Sequence, residues 1–397
     1  MSQDWKTTRI SDICKTNPNT YSVSEKWSYV NYLDTGSITE NSVSEIQHLV
    51  IGRDTLPSRA RRKVVVDDIL YSTVRPNQRH YGIVKDVVPN MLVSTGFAVI
   101  RVDKAKADAD YLYYYLTQND IVDGLDAIGE QSVSAYPSIK PSDIESLELI
   151  LPSLPEQVEI GRTLKALDDK IANNTKINHH LMQMAQAIFK SWFVDFEPWD
   201  GKMPNDWRDG TLSDICIYSS KRIPVASLTV DTYISTENMS TDKGGFVIAT
   251  SLPTIPQTTA FTIGDTLISN IRPYFKKIVY CGFTGGCSTD VLCFHPNKAN
   301  LSLYVYNALY SDSFFNHMVA GSRGTKMPRG DKQQIMNYYV VIPPDTVIGD
   351  FNNSVSAMIE KRHLLTQESA RLAELRNTLL PRLMSGELSI ADLDEAK

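Results

Sequence analysis

The sequence predicts an α+β protein with an approximately twofold internal repeat: two mixed α/β domains, each followed by a long helix, the two helices forming an antiparallel coiled coil. Three observations predict it. Segments recur across the two halves, each half closes on a long stretch of apolar residues at helical spacing, and short β-rich runs precede each stretch. The divisions fall at 1–152 for the first domain, 153–197 for a central helix, 198–206 for a linker, 207–343 for the second domain, and 344–397 for a C-terminal helix and tail. A chain of 397 residues has room for two cores of ordinary size.

The repeat begins near each start, where Trp5, Ser11, Asp12, Ile13 and Cys14 return as Trp207, Ser213, Asp214, Ile215 and Cys216. Asp68-Ile-Leu-Tyr-Ser-Thr-Val-Arg-Pro76 returns as Asp265-Thr-Leu-Ile-Ser-Asn-Ile-Arg-Pro273, and Ser94-Thr95 as Ser288-Thr289. Each half continues with a tyrosine-rich helical run (Tyr111 to Leu116, Tyr304 to Tyr310), a loop (Gly129 to Pro137, Gly321 to Pro328) and an apolar strand (Leu149 to Leu151, Val340 to Ile342). Further β runs are expected at 64–66, 69–74 and 97–102, and at 246–250, 266–271 and 291–294, in one curved, mainly antiparallel sheet per domain.

Proline-marked turns open the long helices. Leu164, Leu167, Ile171, Leu181, Ile188 and Trp192 set the seam of the first, and Val355, Met358, Leu365, Leu372, Leu379 and Leu383 that of the second. Asp168, Asp169, Lys170, Glu360, Lys361 and Arg371 fall on other faces, as a coiled coil requires. Roughly 35 residues at 1.5 Å rise give about 50 Å, longer than the domain such a helix would cover. Asn174 and Asn178 interrupt the first seam, an arrangement that costs stability and fixes register. Pro198, Gly201, Pro204 and Asn205 break the helix into the linker.

Composition narrows the function. With 42% hydrophobic and 22% charged residues, the chain is expected to be a folded cytoplasmic protein without a membrane span or signal peptide. Cys14, Cys216, Cys281, Cys287 and Cys293 contain no C-x-x-C pair and read as reduced, buried thiols, without a metal. A formal net charge of -6 speaks against unspecific nucleic-acid binding, although local patches can reverse it.

No constellation carries catalysis. There is no P-loop and no G-x-G-x-x-G opening a helix. Ile342-Pro-Pro-Asp345 lacks both the polar first residue and the aromatic of an amino-methyltransferase motif and reads as a strand end and turn. His179-His180 reads as solvated or interfacial, and Asp67-Asp68 as turn caps.

Basic residues do gather. Arg53, Arg59, Arg61, Arg62 and Lys63 stand in a predicted loop with one acid, Asp54. Arg75, Gln78, Arg79, His80 and Tyr81 follow or belong to the first Arg-Pro turn. Arg272, Tyr274, Lys276 and Lys277 do so at the second, and Arg323, Lys326, Arg329 and Lys332 follow Gly321. Arg and Gln read guanine and adenine edges, while Lys, Ser and Thr fix register on phosphates. On this reading Gln78, Arg79 and Tyr81 contact bases, and the unlike loops of the two halves bind different targets. A protein-protein scaffold, supported by the net acidity, is the alternative.

The string Leu151-Pro-Ser-Leu-Pro-Glu-Gln157, the helix end Met184-Ala-Gln-Ala-Ile-Phe-Lys-Ser-Trp-Phe-Val-Asp-Phe-Glu-Pro198 and the paired Arg-Pro motifs resemble the specificity (S) subunit of type I restriction-modification systems over the whole chain. The resemblance implies a noncatalytic reader of double-stranded DNA whose two target-recognition domains each read one half of an interrupted site. It also implies two methyltransferase (M) subunits on the helices, holding S-adenosylmethionine for adenine N6 methylation. Restriction (R) subunits using ATP and Mg would join them, with no cofactor in this chain. Pro343-Pro344-Asp345-Thr346-Val347 departs from the first copy's Pro-Glu-Gln at the start of the second helix.

Overall fold

A computed structural model describes residues 5–22, 24–132 and 136–395. Part of the expected 129–137 loop, residues 133–135, lies outside the described residues. By compactness the chain forms two units, residues 1–172 with 369–397, and residues 173–368. This division differs from the linear one because each long helix contributes one half to each unit. A helical residue belongs with whichever α/β domain its buried face packs on.

Unit 1 contains two four-stranded sheets where one was expected. The first orders Cys14–Thr16, Phe97–Val102, Ile69–Ser72 and Tyr81–Ile83, all antiparallel. The second orders Gln47–Val50, Tyr29–Leu33, Met91–Ser94 and Ala60–Lys63, with one parallel pair, Met91–Ser94 on Tyr29–Leu33. Lys6–Arg9 pairs antiparallel with Glu148–Leu151, the strand that leads into the central helix.

Unit 2 repeats this plan. Cys216–Tyr218, Val291–Pro296, Thr266–Ser269 and Ile278–Tyr280 form the antiparallel sheet. Arg222–Pro224, Gln257–Phe261, Gly285–Cys287 and Tyr233–Ile234 form the mixed one. Its parallel pair needs Gly285, where a Cβ would stand 2.1 Å from the Thr232 carbonyl oxygen. Arg208–Thr211 pairs with Tyr339–Ile342.

Two expected strands do not form. The run 64–66 follows strand Ala60–Lys63 instead of joining it, leaving Val65 and Val66 exposed. The run 246–250 contributes one isolated bridge, Met239 with Phe246. Apolar composition marked these segments, but it does not by itself supply a pairing partner.

Each tyrosine-rich helix, Ala109–Leu116 and Ser302–Tyr310, buries its apolar face on the antiparallel sheet of its own unit. The buried Tyr111 and Tyr304 each donate a hydroxyl hydrogen to the strand before the long helix, at the carbonyls of Ile150 (3.5 Å) and Val341 (2.5 Å). Gln157 fixes the start of the central helix by accepting from the Asp108 backbone N–H at 2.9 Å. The second helix lacks this glutamine and begins at Asp345, whose carboxylate pairs with Lys298 at 2.8 Å, while Ile348 is buried below.

The long helices span Leu154–Phe193 and Asp345–Met384, 40 residues each. Within unit 1, Ile160 and Leu164 share a core with Leu379 and Leu383, and Asp168 meets Arg376. Within unit 2, Asn174 donates to Glu368, Asn178 to Thr366, and Arg362 reaches Met182, so the segments run antiparallel. Two seam assignments need correction. Met182, Ala185, Phe189 and Phe193 are the buried positions, with Leu181, Ile188 and Trp192 at the flank, because a 3.6-residue helix drifts against a strict heptad. Asp168 lies on the paired face and not away from it.

The aromatic end of the central helix is explained by unit 2. Phe193 lies 4.8 Å from Tyr304, 5.1 Å from Phe351 and 5.8 Å from Trp207, between ring centres. Trp199, in the expected linker, packs on Trp207 at 4.6 Å and pins that turn. Among the described residues no helix is long and apolar enough to cross a membrane.

Candidate nucleic-acid interface

The Arg-Pro motif closes on a short 3-10 turn in both units, Pro76–Gln78 and Pro273–Phe275. Both flanking residues of each turn are left-handed: Arg75 at φ 48° and Arg79 at 55°, Arg272 and Lys276 at 49°. Side chains with a Cβ rarely hold this conformation, which costs on the order of 1 kcal/mol or more per residue. The surrounding bonds hold it. Arg75 N donates to the Pro137 carbonyl at 2.9 Å and Arg272 N to that of Pro328 at 2.8 Å. Ser72 Oγ and Ser269 Oγ donate to the Val74 and Ile271 carbonyls, at 2.9 and 3.1 Å.

The second repeated motif lies beside the first. Thr73 N donates to the Gly96 carbonyl and Asn270 N to the Asp290 carbonyl, both at 2.8 Å. In each unit the loop after the Ser-Thr pair therefore meets the strand end that carries the arginine. Below the corner a buried aspartate braces the sheet. Asp68 receives two bonds from Arg101, at 2.8 and 2.7 Å, and Asp265 faces His295 at 2.6 Å. Asp68 also accepts from Val65 N at 2.8 Å, the capping role expected of it.

Unit 2 gathers most of its expected cations at this corner. Arg323 and Arg329 pair across a hairpin, their N–H groups donating to each other's carbonyls at 2.9 Å. Arg272 reaches the Lys326 carbonyl on the same hairpin at 3.5 Å. Lys326 and Tyr274 are exposed, while Arg323 pairs with Asp331 at 3.1 Å and Arg329 with Asp290 at 2.9 Å. Three expected residues point elsewhere. Lys276 and Lys243 share Asp312, each at 2.9 Å, and their hydrogen bonds hold that carboxyl at about 2. Lys277 donates to the Thr236 carbonyl at 2.7 Å, its pKa lowered by burial. Lys332 stands over the Tyr218 ring instead, 5.9 Å from its centre.

Unit 1 scatters its set more widely. Arg75 lies 5.0 Å from the exposed Tyr136 ring, Gln78 is exposed, and Arg59 accepts from Thr95 N through its carbonyl at 2.8 Å, joining the corner. The basic run is not one loop, because Ala60–Lys63 is an edge strand that sends its side chains to alternate faces. Arg61 bonds the Ser58 carbonyl at 3.3 Å, and burial lowers the pKa of Arg62. Lys63 pairs with Glu25 and stands over Trp27, while Arg53 pairs with its neighbour Asp54.

Two expected base readers are corrected. Tyr81 is 4% exposed and packs on Tyr71 and Tyr113, so its ring is core. Arg79 is held by Asn119 at 2.8 Å and by Tyr81 and Glu40 at longer range, which makes it a brace of the turn. The structure also adds residues that charge counting missed: the loop ends Thr95, Gly96, Thr289 and Asp290. The repeated Ser-Thr pair was their sequence signal.

The first corner lies within a region of known kind. Residues 2–183 match the family model of the type I restriction modification DNA specificity domain. The type I restriction enzyme HindI specificity subunit of Haemophilus influenzae is 33% identical over 200 residues, 49% of this chain and 42% of that protein. The type I restriction enzyme MjaIX specificity subunit of Methanocaldococcus jannaschii is 23% identical, over 98% of this chain and 95% of that one. These matches show what the chain resembles: its first 183 residues are similar to the type I restriction-modification specificity family. The HindI match spans less than half of that relative, whereas the MjaIX alignment runs nearly end to end. In fold, the chain resembles the crystal structure of a type I restriction-modification S subunit from M. genitalium, with a TM-score of 0.56 at 15% identity over 96% of both chains. Both Arg-Pro corners fall in segments that align with the family, although the family model itself covers only the first.

Proposed function

We propose that this chain is the noncatalytic DNA-recognition subunit of a type I restriction-modification complex, each α/β domain reading one half of an interrupted, asymmetric site. The observation that carries the reading is the repeated corner, where a strained Arg-Pro turn meets the Ser-Thr loop in both units. Left-handed arginines are expensive to hold, and their recurrence favours a use for the guanidinium over simple solvation. Arg59, Arg75 and Gln78 are the leading contacts in the first domain. Arg272, Tyr274, Arg323, Lys326 and Arg329 lead in the second.

In this reading the long helices carry two methyltransferase subunits, and restriction subunits complete the assembly. The methyltransferase subunits would supply S-adenosylmethionine, and the restriction subunits ATP and Mg. This chain's contribution is binding: cations take phosphates, and planar side chains take base edges. Sequencing methylated adenines in cells with and without the gene tests it. An interrupted motif that vanishes with the gene is expected, and an unchanged methylation pattern would refute the assignment. Affinity of the complex for its duplex should also fall steeply with salt. Salt-independent binding would favour a protein scaffold.

A further inference from the structure

The corner of unit 2 holds a carboxylate that the corner of unit 1 lacks. Asp290 follows the Ser-Thr pair at the place where unit 1 has Gly96, and both positions offer their carbonyl to the strand end that carries the arginine. Its side chain is 37% exposed and takes one bond from Arg329 at 2.9 Å. It also lines a groove of about 340 Å³ whose walls include Ser235, Thr236, Glu237, Asn238 and Ser288. A carboxylate here opposes phosphate binding, and a surface built only for backbone contact would do better without it. Asp and Glu have one distinct use against DNA: they accept from an exocyclic amino group on a base edge. The second carboxylate oxygen of Asp290 beside the groove meets that need, and Arg329 orients the group through the first.

We propose that Asp290 is a specificity-determining residue, accepting a hydrogen bond from the amino group of a cytosine or adenine in the half-site read by the second domain. The proposal rests on the DNA-reading assignment above. It explains the unlike corners: unit 1 meets its target with Arg59 and Arg75 and no acid at this position, while unit 2 adds an acceptor and therefore selects an amino-bearing base.

The test uses the full chain with its methylating partners in cells, reading the methylated motif by sequencing. Asp290→Asn keeps the size of the side chain, and Asp290→Ala removes it; thermal melting of each purified complex verifies folding. Both should relax one position in one half of the motif, with discrimination there falling on the order of ten- to a hundredfold. The identity of the relaxed position, C or A, names the base. An unchanged motif accompanied by tighter binding to all duplexes would overturn the proposal, since Asp290 would then be only a counter-ion for Arg329. If Asp290→Ala does not fold, Asp290→Asn alone decides, by the same criterion. A wild-type chain with no motif at all would remove the DNA-reading assignment, and this proposal with it.

Discussion

In unit 1 the tyrosine-rich helix meets the long helices through charge: Tyr114 donates to Asp168 at 2.7 Å, and Asp168 also accepts from Arg376 at 2.5 Å. In unit 2 the corresponding contact has no carboxylate. Gln186 donates to the side-chain oxygen of Asn307 at 2.8 Å, and Arg362 to the Tyr306 hydroxyl at 3.0 Å. Around it the aromatic cluster of Phe189, Phe193, Tyr304, Phe351 and Trp207 takes over the packing. The difference shows how a repeat keeps its copies apart. Arg376 offered to Asn307 would find no carboxylate, and Gln186 offered to Asp168 would leave a charge poorly paired. Each helix end is thereby keyed to one domain.

The largest expected effect breaks the aromatic side. Phe193→Ala should destabilise by about 3–5 kcal/mol, because the rings of Tyr304, Phe351 and Trp207, among others, lose contact with it. Met384→Ala, at the matching end of the other helix, should cost about 2–3 kcal/mol, since a flexible thioether leaves a gap that collapses more easily. Denaturant unfolding of both variants checks the order; equal losses would mean that the two dockings do not differ.

Next comes the charged side. Arg376→Ala leaves Asp168 partly buried with Tyr114 alone and should cost about 2–3 kcal/mol, whereas Gln186→Ala should cost about 1 kcal/mol. A Gln186 variant at least as damaging as the Arg376 variant would contradict the charged key.

The smallest effect is in acid. Asp312 titrates near 2 in the folded state because Lys276 and Lys243 hold its ionised form. A lowered carboxyl pKa means that this contribution is present above the ordinary carboxylate range and fades as pH falls from about 4 towards 2. The group is largely exposed, so the loss should stay under about 1 kcal/mol. Melting curves of Asp312→Asn and the parent should converge by pH 2. A difference that persists there would assign Asp312 another role.

Much of this was legible in the sequence. Trp5 and Trp207, the Asp-to-Arg-Pro segments and the Ser-Thr pairs marked the duplication, and 3-4 spacing marked both helices, because these patterns are local. What depended on packing was not legible. Tyr81 lies two residues from Arg79 in a basic segment, yet strand alternation sends its ring into the core. Asp168 resembles a surface acid until Arg376, from the far end of the chain, arrives beside it. Arg61 and Arg62 are adjacent in sequence and on opposite faces of an edge strand. Asp290 carried no signal beyond following a repeated Ser-Thr pair, since its importance comes from the neighbours that the fold brings to it.

The central claim is that the two corners are separate readers built on one repeated frame. Sequencing the methylated sites of cells that carry Arg75→Ala or Arg272→Ala tests it most directly. Each variant should weaken or relax a different half of the interrupted motif and leave the other half intact. Two variants that affect the same half, or two that leave both halves unchanged while the complexes remain folded, would contradict it.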